Sequence, residues 1–255
     1  MSHFTKKTKH ADISIISRSE TLELRSGSEA LQSVINLKHP EKIELKNLEF
    51  MLGILLFISA PQKILLLGTG AGSLIHFLRK HYAASHLTSL DIDAELIELM
   101  QARMLLPQAD QHLNYIVDDA AHYLGETDDQ FDLILVDLFI GNKSPHWLLD
   151  ANSMQLLFEH LSPQGGVAYN LLIESDHDFN HYYRGLRQIF SQKTLCLPVE
   201  GFDNTITYAF RTQPAQREMT GHMQQALEMT QAQDINYMEI LSTIYTTNPT
   251  GSGVI

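Results

Sequence analysis

Several protein classes are excluded by what this sequence lacks. Cys196 is its only cysteine, so no intrachain disulfide and no cysteine-based metal site can form. A reducing, cytoplasmic setting is expected. Positive charge is scarce: 18 Lys and Arg stand against 30 Asp and Glu, a formal net charge of −12. Nucleic-acid binding needs clustered Lys and Arg to displace phosphate counterions, so it is not expected. An acidic surface attracts cationic substrates, although solubility alone accounts for acidity of this size. Long apolar runs are missing too. The most apolar stretch, residues 50–60, stops at Pro61 and falls well short of the roughly 20 residues a spanning helix needs. Residues 1–12 are polar and basic, without a signal-peptide core. No membrane association is expected, and no internal repeat is present.

What is there suits one large α/β domain. Hydrophobic residues make up 44% of the 255, enough for a sizeable core, and charged residues 19%, too few for a disordered chain. Residues 1–40 read as an N-terminal β region: short alternating segments around Ile13–Ile16, Thr21–Leu24 and residues 31–37 are separated by Arg18-Ser19-Glu20 and Gly27-Ser28. Leu45, Leu48, Leu52 and Leu55 then recur at helical spacing within residues 41–58. Across residues 41–213 strands alternate with helices. The run Ile64-Leu65-Leu66-Leu67 has the continuous apolarity of a strand buried on both faces. Similar strands are expected at 86–90, 113–117, 131–136, 166–171, 193–197 and 205–211, with helices such as 94–104 and 152–161 between them. That alternation predicts a doubly wound, mostly parallel seven-stranded sheet. Residues 214–244 read as one or two amphipathic helices split near Gln233-Asp234, and 246–255 as a loose tail, closing a C-terminal region of 214–255.

The chemistry concentrates at strand ends. Gly68-Thr69-Gly70-Ala71-Gly72-Ser73 follows the first buried strand directly and precedes a helix. Gly68, Gly70 and Gly72 let the backbone turn sharply and approach a ligand without an intervening Cβ. Alone, the glycines fit tight packing equally well. The next strand ends at Asp91, about 20 residues on, where a carboxylate can accept both hydroxyls of a ribose. The strand after that ends at Asp118-Asp119-Ala120; an acid there can accept from an adenine amino group, and Ala120 leaves room for the ring. The following strand ends at Asp137. One acid at a strand end is readily a helix cap; four consecutive strands ending in Gly or Asp instead mark the carboxyl edge where such sheets bind ligands. A dinucleotide fingerprint prefers Gly or Ala where Ser73 stands and gives no reason for the later acids. A single nucleoside of the S-adenosylmethionine (AdoMet) type explains more of the residues.

Together these segments resemble the spermidine synthase family over residues 13–211, on the AdoMet-methyltransferase (Rossmann-like) fold. The matches are Leu31-Gln32-Ser33, the apolar helix before Ile64, the glycine loop, Leu90-Asp91-Ile92-Asp93, Asp119-Ala120 and Phe131-Asp132-Leu133-Ile134-Leu135-Val136-Asp137. By this resemblance Asp91 holds the ribose, Asp119 the adenine amino group, and Gln32 covers the nucleoside from the N-terminal side. Asp137 is the catalytic acid that takes a proton from an attacking amine. The co-substrate is decarboxylated AdoMet or AdoMet, no metal is used, and the partner is a small-molecule amine or other nucleophile. The family's habit implies a homo-oligomer, a dimer. Three positions depart from its pattern. Ala71 stands where the glycine loop carries an Asp, Leu48-Glu49-Phe50 where Tyr-His-Glu is usual, and Ile140 where a second Asp helps to hold the diamine. A polyamine site needs carboxylates to offset the desolvation of ammonium groups, so the acceptor is expected to differ from the usual diamine. Methyl transfer from AdoMet, and a non-catalytic nucleoside-binding or assembly protein, are the alternatives.

Other constellations are weaker. His177, Asp178 and His181 have one-turn spacing but no third ligand nearby, which favours a solvated helix face over a metal site. His122 beside Tyr123 reads as a partly buried histidine packed on an aromatic. Trp147 fits a lid over the acceptor and core packing equally, and Asn170 is placed to reach the rim of the pocket.

Overall fold

In the computed structural model, residues 2–26, 30–141, 143–215, 217–249, 251 and 254–255 are described, with backbone alone at positions 2 and 30. The break expected at Gly27-Ser28 lies outside them. The N-terminal region is a four-stranded antiparallel meander of β1 (Ser2–Lys7), β2 (Asp12–Ser17), β3 (Thr21–Ser26) and β4 (Ala30–Asn36). Strand β1 was not expected from its polar composition. It pairs residue by residue with β2, from Ser2 opposite Ser17 to Lys7 opposite Asp12. Between β3 and β4 the register slips: Leu24 faces Ser33 and Arg25 faces Leu31, which leaves Gln32 as the extra residue of a bulge.

The helix expected over 41–58 is shorter and changes character. α1 (Lys46–Leu52) gives way to a 3₁₀ turn at Gly53–Leu56. The Phe50 carbonyl accepts from the Gly53 N–H and from the buried Tyr208 hydroxyl, so the chain tightens to i,i+3 bonding there. Alternating strands and helices follow: β5 (Lys63–Leu67), α2 (Ser73–His81), β6 (His86–Asp91), α3 (Ala94–Ala102), β7 (Leu113–Val117), α4 (Ala120–Glu126), β8 (Phe131–Val136), α5 (Ala151–Glu159), β9 (Leu161–Leu171), α6 (Asp176–Ile189), β10 (Thr194–Pro198) and β11 (Thr205–Phe210). β9 starts five residues earlier than expected and takes in Gly165-Gly166, with a register shift against Phe131–Leu133.

The seven-stranded sheet has the order β10-β11-β9-β8-β5-β6-β7. Five neighbouring strands are parallel, and β11 runs antiparallel to both β9 and β10. Residues Ile64 to Leu67 of β5 are fully buried and alternate between faces: Ile64 and Leu66 join one core cluster, Leu65 and Leu67 the other. Each such burial is worth roughly 1.5–3 kcal/mol, which pins the register of the central strand and hence the loop that follows it. Helices α7 (Met219–Gln233) and α8 (Tyr237–Thr247), divided by Asp234 in a left-handed conformation, add Ala226, Tyr237, Ile240 and Ile244 to the first cluster. The tail read as loose is anchored at its end. Val254 is 4% exposed within that cluster, and its carbonyl accepts from Gln213. Among the described residues no helix is long and apolar enough to cross a membrane.

Candidate active site

Strand order reverses at β5, with β6 on one side and β8 on the other, and the crevice at the carboxyl ends of such neighbours is where these sheets hold ligands. Here the crevice is a cavity of about 340 Å³. Its floor is the glycine loop. Gly68 has φ +98°, and a Cβ on it would stand 2.3 Å from the Asp137 carbonyl oxygen, so only glycine lets the ends of β5 and β8 approach this closely. The Asp137 N–H in turn donates to Leu67 O at 2.8 Å. Gly68 and Gly70 line the cavity. Gly72 stands outside its wall; it leads into α2 at φ +96°, where a Cβ would meet Leu106 at 2.4 Å. Ala71 is buried in the core.

The β6 end brings Asp91 and Asp93. Asp91 accepts from the Thr69 N–H at 2.9 Å and from the Asp93 N–H at 3.0 Å, and burial raises its carboxyl above the ordinary range. Asp93 caps α3 through Leu96 N and accepts from the Thr8 hydroxyl at 2.5 Å, which ties the β1–β2 turn to the sheet. His10 and Ala11 of that turn, with Ile13, Ser26 and Gln32, form the roof of the cavity. The bulge at Gln32 accounts for that residue's reach, because an extra residue re-aims its side chain. Its neighbour Ser33 is 3.1 Å from the Ser73 hydroxyl, which also donates to Val34 O, so β4 is fastened to the start of α2.

At the β7 end, Asp118, Asp119 and Ala120 all line the cavity. Asp119 is a helix cap as well, accepting from Ala121 N and His122 N at 2.9 and 3.1 Å. His122 is corrected here: it is exposed rather than partly buried, because its place four residues after Asp118 sets its ring against that carboxylate at 2.8 Å. The pairing holds Asp118 below the usual carboxylate range and raises His122.

The β8 end places Asp137 on the wall. Burial pushes its carboxyl up to about 6, opposed by the Asn170 amide, which donates to Oδ1 at 2.8 Å. Asn170 is fully buried and holds Asp137 from behind rather than reaching the rim. Its own Oδ1 accepts from Asn204 at 2.7 Å, which fixes the orientation of its amide. Asn204 escaped the sequence reading; its one signal is a polar residue just before the alternating strand β11. Leu138, Phe139, Ile140, Pro145 and Trp147 continue the wall. Trp147 lines the cavity and packs on the second core cluster.

The site thus gathers Gln32, Gly68, Gly70, Asp91, Asp119, Ala120 and Asp137 around one cavity. Leu48-Glu49-Phe50 is not part of it: Leu48 and Phe50 are core residues of α1, and burial lifts Glu49 to about 7. His177 and His181 are exposed on α6, and no group of three or more potential metal ligands occurs among the described residues.

Comparison with known proteins identifies the family. The family model described as "Spermine/spermidine synthase domain" matches residues 49–197, more than half of the chain. The polyamine aminopropyltransferase of Neisseria meningitidis serogroup A is 26% identical over 244 residues, covering 95% of this chain and 92% of that protein. A probable spermidine synthase from Corynebacterium glutamicum shares the fold with a TM-score of 0.73 at 19% identity, over 89% of this chain and 88% of that one. A spermidine synthase in complex with the transition-state analogue AdoDATO gives 0.64 at 15%, over 95% and 84%. The chain is a transferase and belongs to the spermine/spermidine synthase family.

Proposed function

We propose that the protein transfers the aminopropyl group of decarboxylated AdoMet to an amine other than the usual diamine, with Asp137 as the base. The observation that carries the choice of donor is the charge of the cavity. Five aspartates line it (Asp91, Asp93, Asp118, Asp119 and Asp137), His10 is the only basic residue, and no Lys or Arg is among the described lining residues. Decarboxylated AdoMet brings a sulfonium and an ammonium and no carboxylate. AdoMet would add a carboxylate with no cation to meet it, beside acids that repel it.

The reaction is an in-line displacement in which the chain positions two reactants and removes a proton. The amine nitrogen attacks the carbon beside the sulfonium. The C–S bond breaks with its electron pair on sulfur, and neutral methylthioadenosine leaves, so no general acid is required. Asp91 and Asp119 hold the nucleoside, Gln32 covers it, and Gly68 and Gly70 let it approach the backbone. Asn170 occupies Oδ1 of Asp137, which leaves Oδ2 to take the proton. A carboxyl lifted to about 6 is ionised at neutral pH yet more basic than an ordinary aspartate.

Calorimetric titration with decarboxylated AdoMet, AdoMet and methylthioadenosine tests the reading. Decarboxylated AdoMet should bind at least about tenfold more tightly than AdoMet, a difference of about 1.4 kcal/mol. The reverse preference points to methyl transfer. Binding of none of the three by folded protein refutes the nucleoside site and favours an assembly role.

A further inference from the structure

The two ends of the cavity differ in chemistry. Asp91, Asp93, Asp118 and Asp119 all stand at the ends of β6 and β7, on the nucleoside side. At the β8 end Asp137 is the one carboxylate among the described lining residues, and the wall running on from it is Leu138, Phe139, Ile140, Pro145 and Trp147. Leu138 and Trp147 rest on the buried cluster beneath, so hydrocarbon backs the wall. Ile140 is 72% exposed at the rim, held there by a tight turn in which Ile140 and Lys143 exchange backbone hydrogen bonds. Two of the acids that follow in sequence are engaged elsewhere. Glu174 pairs with Lys143 at 2.7 Å, and the Asp178 carboxylate accepts from the Ser175 hydroxyl at 2.7 Å while the Asp178 N–H donates back to Ser175 Oγ at the start of α6.

We infer that the acceptor is a primary amine on an aryl or alkyl body with no second cationic group. This rests on the aminopropyl reading and specifies the other substrate of the same site. The amine nitrogen meets Asp137, and the body lies along Leu138, Phe139, Pro145 and Trp147, where burying apolar surface is favourable and ring contacts suit an aryl group. A second ammonium at the far end would meet Ile140 at the rim with no carboxylate among the described lining residues to receive it, gaining nothing over water and giving up the apolar contact that a hydrocarbon end makes. The faces of Phe139 and Trp147 attract a cation, but at a solvated rim that attraction is weak against hydration. In the transfer one C–N bond forms and one C–S bond breaks. The sulfur keeps the electron pair, and the proton lost by the attacking nitrogen passes to Asp137 and on to water. The products are an N-(3-aminopropyl) amine and methylthioadenosine.

The full chain, saturated with decarboxylated AdoMet, is assayed with 2-phenylethylamine, hexylamine and 1,4-diaminobutane, following methylthioadenosine release and product mass. In parallel, each amine is titrated into protein loaded with methylthioadenosine. Both monoamines should exceed the diamine in kcat/KM by at least about tenfold. Ile140→Asp, at an exposed position where the fold is retained, should move that ratio about tenfold toward the diamine. Preference of the unaltered protein for 1,4-diaminobutane, or an unchanged ratio in Ile140→Asp, overturns the acceptor class and leaves the donor reading intact. So does binding of the nucleosides with neither monoamine bound or used. If decarboxylated AdoMet itself does not bind, the aminopropyl reading falls and the acceptor class falls with it.

Discussion

Asp137 shows how one partly buried residue would join stability to the proposed chemistry. Its carboxyl is lifted from an ordinary 3.8 to about 6 by burial, so between those values the folded protein holds a proton that the unfolded chain has released. Stability therefore falls as pH rises through that window, and the loss is complete above about pH 6. Asp137→Asn should raise stability at pH 8 by about 1–3 kcal/mol, with no gain below about pH 4, read by thermal unfolding at both. The same variant should lower turnover by about 10²–10⁴-fold and leave methylthioadenosine affinity unchanged. Asn170 acts on this residue from behind. Its amide stabilises the charged form, so Asn170→Ala should move the acid limb of the kcat profile upward from about pH 6, with kcat recovering at higher pH. A purely structural role would lower kcat equally at every pH. Asp137 and Asp91 were legible in the sequence because each stands at the end of a strand in the alternating strand–helix pattern. The relay from Asn204 through Asn170 was not, since β9 and β11 become neighbours only in the folded sheet.

Among the elements, the strand-to-helix turns do double work. Asp119 faces the cavity and also caps α4. Asparagine is an equally good N-cap, but its amide group in place of one oxygen would oppose the amino group of the proposed adenine. Asp119→Asn should keep stability within about 0.5 kcal/mol and weaken methylthioadenosine binding about tenfold by calorimetry. If binding is unchanged, capping is the whole role of Asp119. The bulge that frees Gln32 and the 3₁₀ turn at Gly53 were both invisible to periodicity. Each is imposed by a pairing partner: the register with the preceding strand β3 in one case, and Tyr208, 158 residues on, against Phe50 O in the other.

At the scale of the molecule, the N-terminal meander roofs a site whose floor belongs to the parallel sheet. Thr8 to Asp93 and Ser33 to Ser73 are the clasps. Net charge of −12 and five aspartates in the cavity set up a field for cations. Affinity for decarboxylated AdoMet should fall several-fold between about 0.02 and 0.5 M salt, as screening shortens from roughly 20 Å to a few ångströms. Affinity for neutral methylthioadenosine should barely change. Equal salt dependence for the two would show that the field plays no part in binding.

Local pattern determined the order of strands and helices, the parallel sheet, and the strand-end positions of Gly68, Asp91, Asp119 and Asp137, because burial on two faces and sharp turns write themselves into short stretches of chain. Strand β1 escaped because its polar residues are ordered by pairing with β2 rather than by their own burial. Only the tertiary structure decided that Gln32 roofs the cavity, that Asn170 and Asn204 stand behind Asp137, and that hydrocarbon flanks Asp137. Those facts depend on which surfaces meet across long separations, and a pairing register or a side-chain hydrogen bond between distant strands leaves no periodic trace in either partner.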